Sequence, residues 1–511
     1  MYVEKMFKSY VVFLLITLSP YYLVISAFAQ ARQPVVAGAF YPAEKNELSG
    51  FIDAVLSKAE KKKTGKVLGI LVPHAGYVFS GGVAAHAYAA ILGSYETVVL
   101  LGAAHTMPVK GAAVYSKGAF ETPLGQVKID EKLAEALIKE SPLFEDNAPA
   151  HAREHCLEVQ LPFLQKKLKN DFRILPIVLN TENIEELVKI GELLAKHLKN
   201  KNVLFVISSD LSHYPGHNLA GKADESVLLA YSTMDPEYFW LANRILSAKN
   251  LPELATTACG EAAMTAGLAA LKNLGTGGFV KLKYADSYDT NPQNAEKERV
   301  VGYGAGVFVK GEGRKPFRLK LNAKQKEELL KLARESIRLK FEEKSPFIPL
   351  LQRGKEGDLS DDYVFNLPAA VFVTLTINKN LRGCIGNIQP QMTLRDAVMH
   401  SAQSAAFDDH RFAPLSKDEF EKIEIEISLL SPIRQANGEN EIIPGKSGVI
   451  IARDGRSGLF LPQVWEKIPD KTDFLNEICT QKAGLEKECW KDKNSKIFTF
   501  IVESFEESTL R

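Results

Sequence analysis

Hydrophobic and polar positions follow two different rhythms along this chain, and the change between them divides it. From Gln33 to about Lys310, short apolar runs alternate with helical stretches. Three of the runs, Val67–Val72, Thr97–Leu101 and Val203–Ile207, are rich in β-branched and aliphatic residues and carry no charge. Strands buried on both faces of a parallel sheet have this length and character. The helical stretches are Lys45–Lys62, Gly81–Leu92, Glu131–Glu140, Glu158–Leu168, Asn183–Leu198 and Gly260–Leu271. Phe279–Tyr284 and Tyr303–Val309 read as closing strands. Such alternation predicts a layered α/β domain over residues 33–310, built on a largely parallel sheet.

The rhythm changes after Lys310. Residues 311–321 are rich in charge and include Gly311, Gly313 and Pro316, which reads as a linker. Ala323–Phe341 has helical periodicity, with Leu329, Leu330, Leu332, Ala333 and Ile337 on one side. Ala369–Ile377 is strongly β-like, and Lys422–Leu430 alternates almost throughout, as a strand with one wet face does. With Lys496–Ser504 as a further strand, residues 322–511 predict a smaller α+β domain with antiparallel content.

The three buried runs share a second property, because each ends in a histidine-bearing motif. These are Pro73-His74-Ala75-Gly76-Tyr77, Gly102-Ala103-Ala104-His105 and Ser208-Ser209-Asp210-Leu211-Ser212-His213. Open α/β sheets bind ligands at the carboxyl ends of their strands. Three imidazoles delivered there predict one metal or catalytic site. A lone histidine at a strand end is more often a hydrogen-bonded loop residue; the convergence of three favours a shared site. His217 follows four residues after His213. Cys259 precedes a helix of small residues, where a thiol is expected to ionise easily; the bland alternative is a buried small apolar side chain. Arg153–Glu158 is expected to open another helix with His155 and Glu158 on one face. Cys156 reads as core, His86 and His197 as structural or surface, and Tyr77 and Tyr214 as pocket or packing residues. In the second domain, Leu381–Gly386 sets Cys384 near Arg382 and between Gly383 and Gly386. That is either a weak nucleophile signal or a structural turn.

Composition narrows the classes. The chain has 511 residues, 46% apolar and 24% charged, as multidomain globular proteins do. Its 63 basic and 62 acidic residues leave a net charge of +1, with no sign of a nucleic-acid surface. Lys5 and Lys8 precede an apolar stretch from Tyr10 to Ala29 that ends in Ala27-Phe28-Ala29, a small-x-small cleavage pattern. Residues 1–29 therefore read as a signal peptide, with a membrane anchor over 10–29 as the alternative; either puts the body outside the cytoplasm. A start codon assigned too far upstream is a third reading. The five cysteines include no CxxC pair, which argues against a zinc ribbon or a thioredoxin-like site. Cys479 and Cys489 are the one close pair, and read as two inert thiols rather than a disulfide.

Several of these motifs together resemble a known family. Val36-Ala37-Gly38-x-Phe40-Tyr41-Pro42, Pro73–Tyr77 with Ser80-Gly81, Glu154-His155-x-Leu157-Glu158-x-Gln160-Leu161-Pro162-Phe163-Leu164, Ser208–Tyr214 and Cys259-Gly260 are similar to the Memo family over roughly residues 33–310. That family's fold resembles class III extradiol dioxygenases, which bind non-haem iron. The resemblance implies one metal ion on His74, His105 and Cys259, most simply iron, with Asp210 and His213 beside it. The chain departs from the pattern at Gly102-Ala103-Ala104-His105, where the family has Gly-Pro-x-His. It also offers Cys259 where the related dioxygenases use a carboxylate; thiolate suits softer metals, so copper or zinc also fits. His213 is the natural base, since imidazole titrates near neutrality.

The second domain resembles the AMMECR family over about residues 320–508, through Leu381–Gly386, Ala406-Phe407-Asp408-Asp409-His410-Arg411-Phe412-x-Pro414-Leu415, Glu426–Pro432 and Gly458–Val464. This implies a cleft lined by Cys384, Arg382, Asp409 and Arg411, although Asp409 and Arg411 could equally form a structural salt bridge. Proteins of the two types occur with a radical-SAM protein in the AmmeMemoRadiSam system, so the resemblance implies a radical-SAM partner. This chain has no CxxxCxxC motif of its own. Export fits poorly with such a partner, whose chemistry needs a reducing compartment. The leading expectation is a metal-dependent redox enzyme, with Cys384 as a second reactive group and a small molecule or peptide as substrate. The alternatives are a non-catalytic module for peptides or small anions, and an extracytoplasmic metal-handling protein.

Overall fold

The computed structural model describes residues 31–60, 62, 64–168, 171–311, 318–341 and 359–509. The targeting segment expected over residues 1–29 and most of the linker lie outside the described residues. Among the described residues, no helix is long and apolar enough to cross a membrane.

The first domain contains β1 (Val67–Val72), β2 (Thr97–Ala103), β3 (Ala112–Val114), β4 (Ala119–Thr122), β5 (Gly125–Lys128), β6 (Phe144–Asp146), β7 (Arg173–Leu179), β8 (Val203–Ser208), β9 (Thr276–Asp286) and β10 (Gly302–Lys310). Eight of them form one sheet in the order β6-β3-β7-β2-β8-β1-β10-β9. The four central strands β7, β2, β8 and β1 are parallel. On one side β10 runs antiparallel to β1 and β9 antiparallel to β10; on the other β3 runs antiparallel to β7 and parallel to β6. The parallel character read from the uncharged runs thus belongs to the middle of the sheet. β9 carries the exposed residues Lys281 and Lys283, as an edge strand does.

The central strands are buried on both faces because helices cover both. Leu71, Val99, Leu101, Phe205 and Ile207 pack against helices Ile184–Leu198 and Glu261–Asn273. The alternate residues Ile70, Val72, Val98, Leu100, Leu204 and Val206 pack beneath helix Tyr77–Ala89. A period of two therefore feeds two cores, and no position is left for a polar residue until the strands end. The helix expected over Glu158–Leu168 is a short 3-10 turn, Glu158–Gln160, followed by α-helix Leu161–Lys167.

The second domain is an antiparallel sheet of β11 (Ala370–Ile377), β12 (Asn380–Gly386), β13 (Ile423–Leu430), β14 (Arg434–Gln435), β15 (Ser447–Arg453), β16 (Arg456–Phe460) and β17 (Lys496–Glu506). Its order is β12-β11-β13-β17-β15-β16, with β14 paired to β17. Helices Ala323–Phe341 and Leu394–Phe407 cover one face. Leu321, at the end of the expected linker, is buried in this core. Leu359 and Leu367 belong instead to the first domain's core. Across the junction, Tyr238 Oη donates to Pro368 O at 2.8 Å and Lys249 Nζ lies 2.6 Å from Asp396.

Cys479 and Cys489 form a disulfide, contrary to the expectation of two separate thiols. The chain turns back on itself after Ile478–Lys482, with Leu485 N–H donating to Cys479 O, so the two Cα atoms lie 5.9 Å apart. Both sulfurs are buried beside Phe474 and Trp465. A ten-residue separation does not reveal that reversal.

Candidate metal centre at the carboxyl ends of β1, β2 and β8

His74 follows β1, His105 follows β2, and Asp210 follows β8, so adjacent parallel strands bring the three motifs to one sheet edge. Cys259 joins them from the loop before helix Glu261–Asn273, with its Sγ 3.1 Å from His74 Nε2. Ligand atoms of His74, His105 and Cys259 all lie within 4.8 Å of one another. Two imidazole nitrogens and a sulfur at that spacing fit a single metal ion. Gly260 makes the approach feasible. A Cβ there would lie 2.7 Å from Ser209 Cβ and 2.9 Å from Ser208 O, while its N–H donates to Ser209 Oγ.

Hydrogen bonds orient both rings. Ser208 Oγ donates its one proton to Cys156 O at 2.7 Å and accepts from Gln160 Nε2 at 2.9 Å. It must therefore accept from His74 Nδ1 at 3.1 Å, which leaves the lone pair of His74 on Nε2, facing Cys259. His105 Nδ1 donates to Glu154 Oε1 at 2.9 Å, and its backbone N–H to Oε2 at 2.7 Å. That carboxylate fixes the His105 tautomer and leaves its Nε2 free, as partners of metal-binding imidazoles do. Burial, then the neighbouring His105 and His155, hold His74 well below its ordinary pKa, so it is the neutral ligand form. Burial raises the Glu154 carboxyl, but the His105 ring and the N–H groups of Cys156 and His105 outweigh it and hold the group ionised.

Cys259 differs from expectation. Burial, then the Asp210 carboxylate, push its thiol above the usual range, where a helix N-terminus predicted a lowered value. A nearby cation reverses that balance, since metal coordination deprotonates a thiol outright. Asp210 accepts from the backbone N–H of His74 at 2.7 Å and of Ala75 at 3.3 Å, tying the loop after β1 to that after β8. His213 Nδ1 donates to Leu211 O at 3.0 Å, which leaves its Nε2 unshared.

The structure gives new places to the 153–158 segment and adds Arg32, which the sequence did not single out. His155 stacks on His105 at 4.8 Å and meets His74 edge-on at 5.4 Å. Glu158, expected on the same helix face, points elsewhere: it accepts from Arg32, Tyr41 and the backbone of Val35 and Val36. The turn at residues 153–157 is not helical, so the i, i+3 rule does not apply to this pair. Buried Arg32 also donates to His151 O at 2.7 Å and to Glu154 O. The strap from Arg32 to Tyr41 is thereby bolted beneath the carboxylate that orients His105. Glu154 and Gln160 stand within the motif that carried the family resemblance, which was the signal for them; Arg32 had none.

In the second domain, Cys384 N–H donates to Asp409 Oδ2 at 2.9 Å, and Thr374 Oγ1 to Cys384 Sγ at 3.3 Å. Arg411 pairs with Asp409 at 2.7 Å and donates to Cys384 O at 3.1 Å. Arg382 does not join them. The β11–β12 register shifts between Leu375 and Thr376, leaving Arg382 as the extra residue of a bulge, and its guanidinium pairs with Glu419 at 2.9 Å. The arginine next to the thiol is Arg411. Gly383 admits not a ligand but the chain itself, since a Cβ there would lie 2.0 Å from Ala405 O.

A mixed sheet between helices, with a His/His/Cys cluster at the ends of its parallel strands, defines an α/β protein with a candidate metal-binding centre. Residues 32–307 match the sequence model of the Memo-like protein family and residues 330–505 that of AMMECR1. The chain belongs to the Memo-like family and carries an AMMECR1 domain after it. A MEMO1 family protein of Aquifex aeolicus is 38% identical over 280 residues, covering 55% of this chain and 100% of its own length. One from Nitrosopumilus maritimus is 36% identical over 284 residues, covering 54% and 99%. Among solved structures, an uncharacterised protein from Pyrococcus horikoshii is 33% identical with a TM-score of 0.31, covering 35% of this chain and 90% of that one.

Proposed function

We propose that this chain is a metal-dependent redox enzyme whose single metal ion is held by His74, His105 and Cys259. The observation that carries the reading is the pair of imidazoles whose Nδ1 protons are committed to Ser208 and Glu154, leaving both Nε2 atoms free beside one thiol. Iron is the first assignment, on the likeness to class III extradiol dioxygenases, and the same donors admit copper or zinc. The metal would supply an electrophilic centre and, as iron or copper, a redox couple. The protein's part is to exclude water and move protons. His74 and Asp210 are buried, which shields the floor of the site from bulk solvent. His213 Nε2 takes and returns a proton during turnover, because its Nδ1 is already committed to a carbonyl. Asp210 holds the two loops in register.

The Cys479–Cys489 disulfide supports an extracytoplasmic location with residues 1–29 as the export signal. It weighs against a radical-SAM partner in the same compartment. The small or peptide substrate enters at His105, the most exposed of the three residues. Metal analysis of anaerobically purified protein beside Cys259→Ala tests the reading. Near-stoichiometric metal lost in the variant supports it. No metal above background in either favours the non-catalytic binding module.

A further inference from the structure

Beside His213 the chain builds a lip that the metal-centre reading does not use. Tyr214 follows His213 with φ of +76°, a left-handed conformation that a bulky residue adopts only under constraint. The constraint is visible: Tyr214 N–H donates to Val300 O at 2.7 Å, Val300 N–H to Pro215 O at 3.0 Å, and His213 N–H to Thr256 O at 3.0 Å. The outcome is a large ring left exposed, edge-on to the His213 imidazole at 5.7 Å. The Arg299 guanidinium stacks over the same ring, 4.1 Å from its centroid. Lys297, on the same turn, lies over the Tyr288 ring at 5.9 Å. His217 joins from the other side, its ring against Tyr288 and its Nδ1 bonded to buried Asp286. Glu296 and Glu298 sit on this turn, yet among the described residues neither Arg299 nor Lys297 has a carboxylate within ion-pair distance.

Two cations spread on aromatic faces, without acidic partners, next to the proposed proton-transfer histidine, form a receptor for negative charge. Stacking pre-orders the guanidinium and leaves its N–H edge open for a two-point bond to an oxyanion. We infer that this lip binds the carboxylate or phosphate of a small organic substrate and so orients it towards His213 and the metal. The inference deepens the proposed function and rests on it for the direction in which the substrate points, but not for the binding itself.

The test is calorimetric titration of the full chain with benzoate and with phenyl phosphate, beside Arg299→Gln and Lys297→Gln, with metal content measured in each preparation. Binding of either probe, weakened about tenfold in Arg299→Gln and less in Lys297→Gln with metal content unchanged, supports the lip. Binding of benzoate alone assigns a carboxylate substrate, and of phenyl phosphate alone a phosphate ester. Absence of binding, or equal binding to Arg299→Gln, overturns it. Arg299-dependent binding to protein that holds no metal would sink the metal reading and leave the lip standing. Stoichiometric metal without probe binding would do the reverse.

Discussion

Cys259 and Cys384 are both half-buried thiols, each in its own domain, and their surroundings are opposite. Cys259 sits where parallel strands end, among histidines whose other nitrogens are committed, and burial and a carboxylate push its thiol up. Cys384 lies within an antiparallel strand, where Asp409 and Arg411 hold its backbone N–H and C=O and the Arg411 guanidinium also stands beside its sulfur. In the first domain, charged groups are buried to orient imidazoles. In the second, they clamp a strand to a loop. A cysteine in a glycine-rich motif thus says little until the partners of its neighbours are known.

The sharpest way to break this contrast is at the supporting ion pairs. Arg32→Ala leaves the Glu158 carboxylate buried without its cation and should cost about 3–5 kcal/mol in denaturant unfolding. Arg411→Ala removes a guanidinium that is 56% exposed and should cost at most about 1 kcal/mol. Equal losses would end the distinction between aiming and clamping. Next in size, Cys259→Ala should weaken metal affinity by more than about 100-fold in chelator competition, beyond the cost of losing an outer-shell partner. Cys384→Ala should leave it unchanged, and a matching loss there would place the metal elsewhere.

Acid response separates the domains more finely. Burial holds His151 down to about 4, with Nε2 donating to Ala113 O. The unfolded chain takes that proton first, so the stabilisation is full above the free histidine value and fades as pH falls towards 4. The stability advantage of the parent over His151→Gln should shrink by roughly 2–3 kcal/mol between pH 6.5 and 4. Glu419, held down to about 2 by Arg382, should show a smaller effect in a lower window. Its advantage over Glu419→Gln is present above pH 4.5 and lost as pH falls towards 2. Thermal unfolding across that range checks both. Gly383→Ala, whose Cβ would press on the backbone oxygen Ala405 O, should cost about 1–3 kcal/mol in the same unfolding measurement and leave metal content untouched.

Much of this was legible in the sequence because it is periodic or local. Uncharged runs gave the central strands, and the polar residue ending each run gave His74, His105 and Asp210. Helix Ala323–Phe341 matches its periodicity to the residue. What was hidden depends on long-range meetings or on single-residue irregularities. Arg32 finds Glu158 across 126 positions, which no window can see. The bulge at Arg382 turns a side chain away from the thiol two residues on, and alternation alone predicts the reverse. The Cys479–Cys489 bond depends on a reversal of the chain that carries no composition signal. The raised Cys259 thiol reflects burial, whereas the sequence displayed only the helix start.

The strap at Arg32 also sets an order of events. It is the first part of the described chain to be synthesised, yet its acceptors at His151, Glu154 and Glu158 arrive more than a hundred residues later, and Cys259 later still. A chain made or exported from its N-terminus must hold this arginine unpaired until nearly half of the domain has emerged. The His74, His105 and Cys259 cluster is therefore complete only near the end of that passage, in whichever compartment the domain finishes folding.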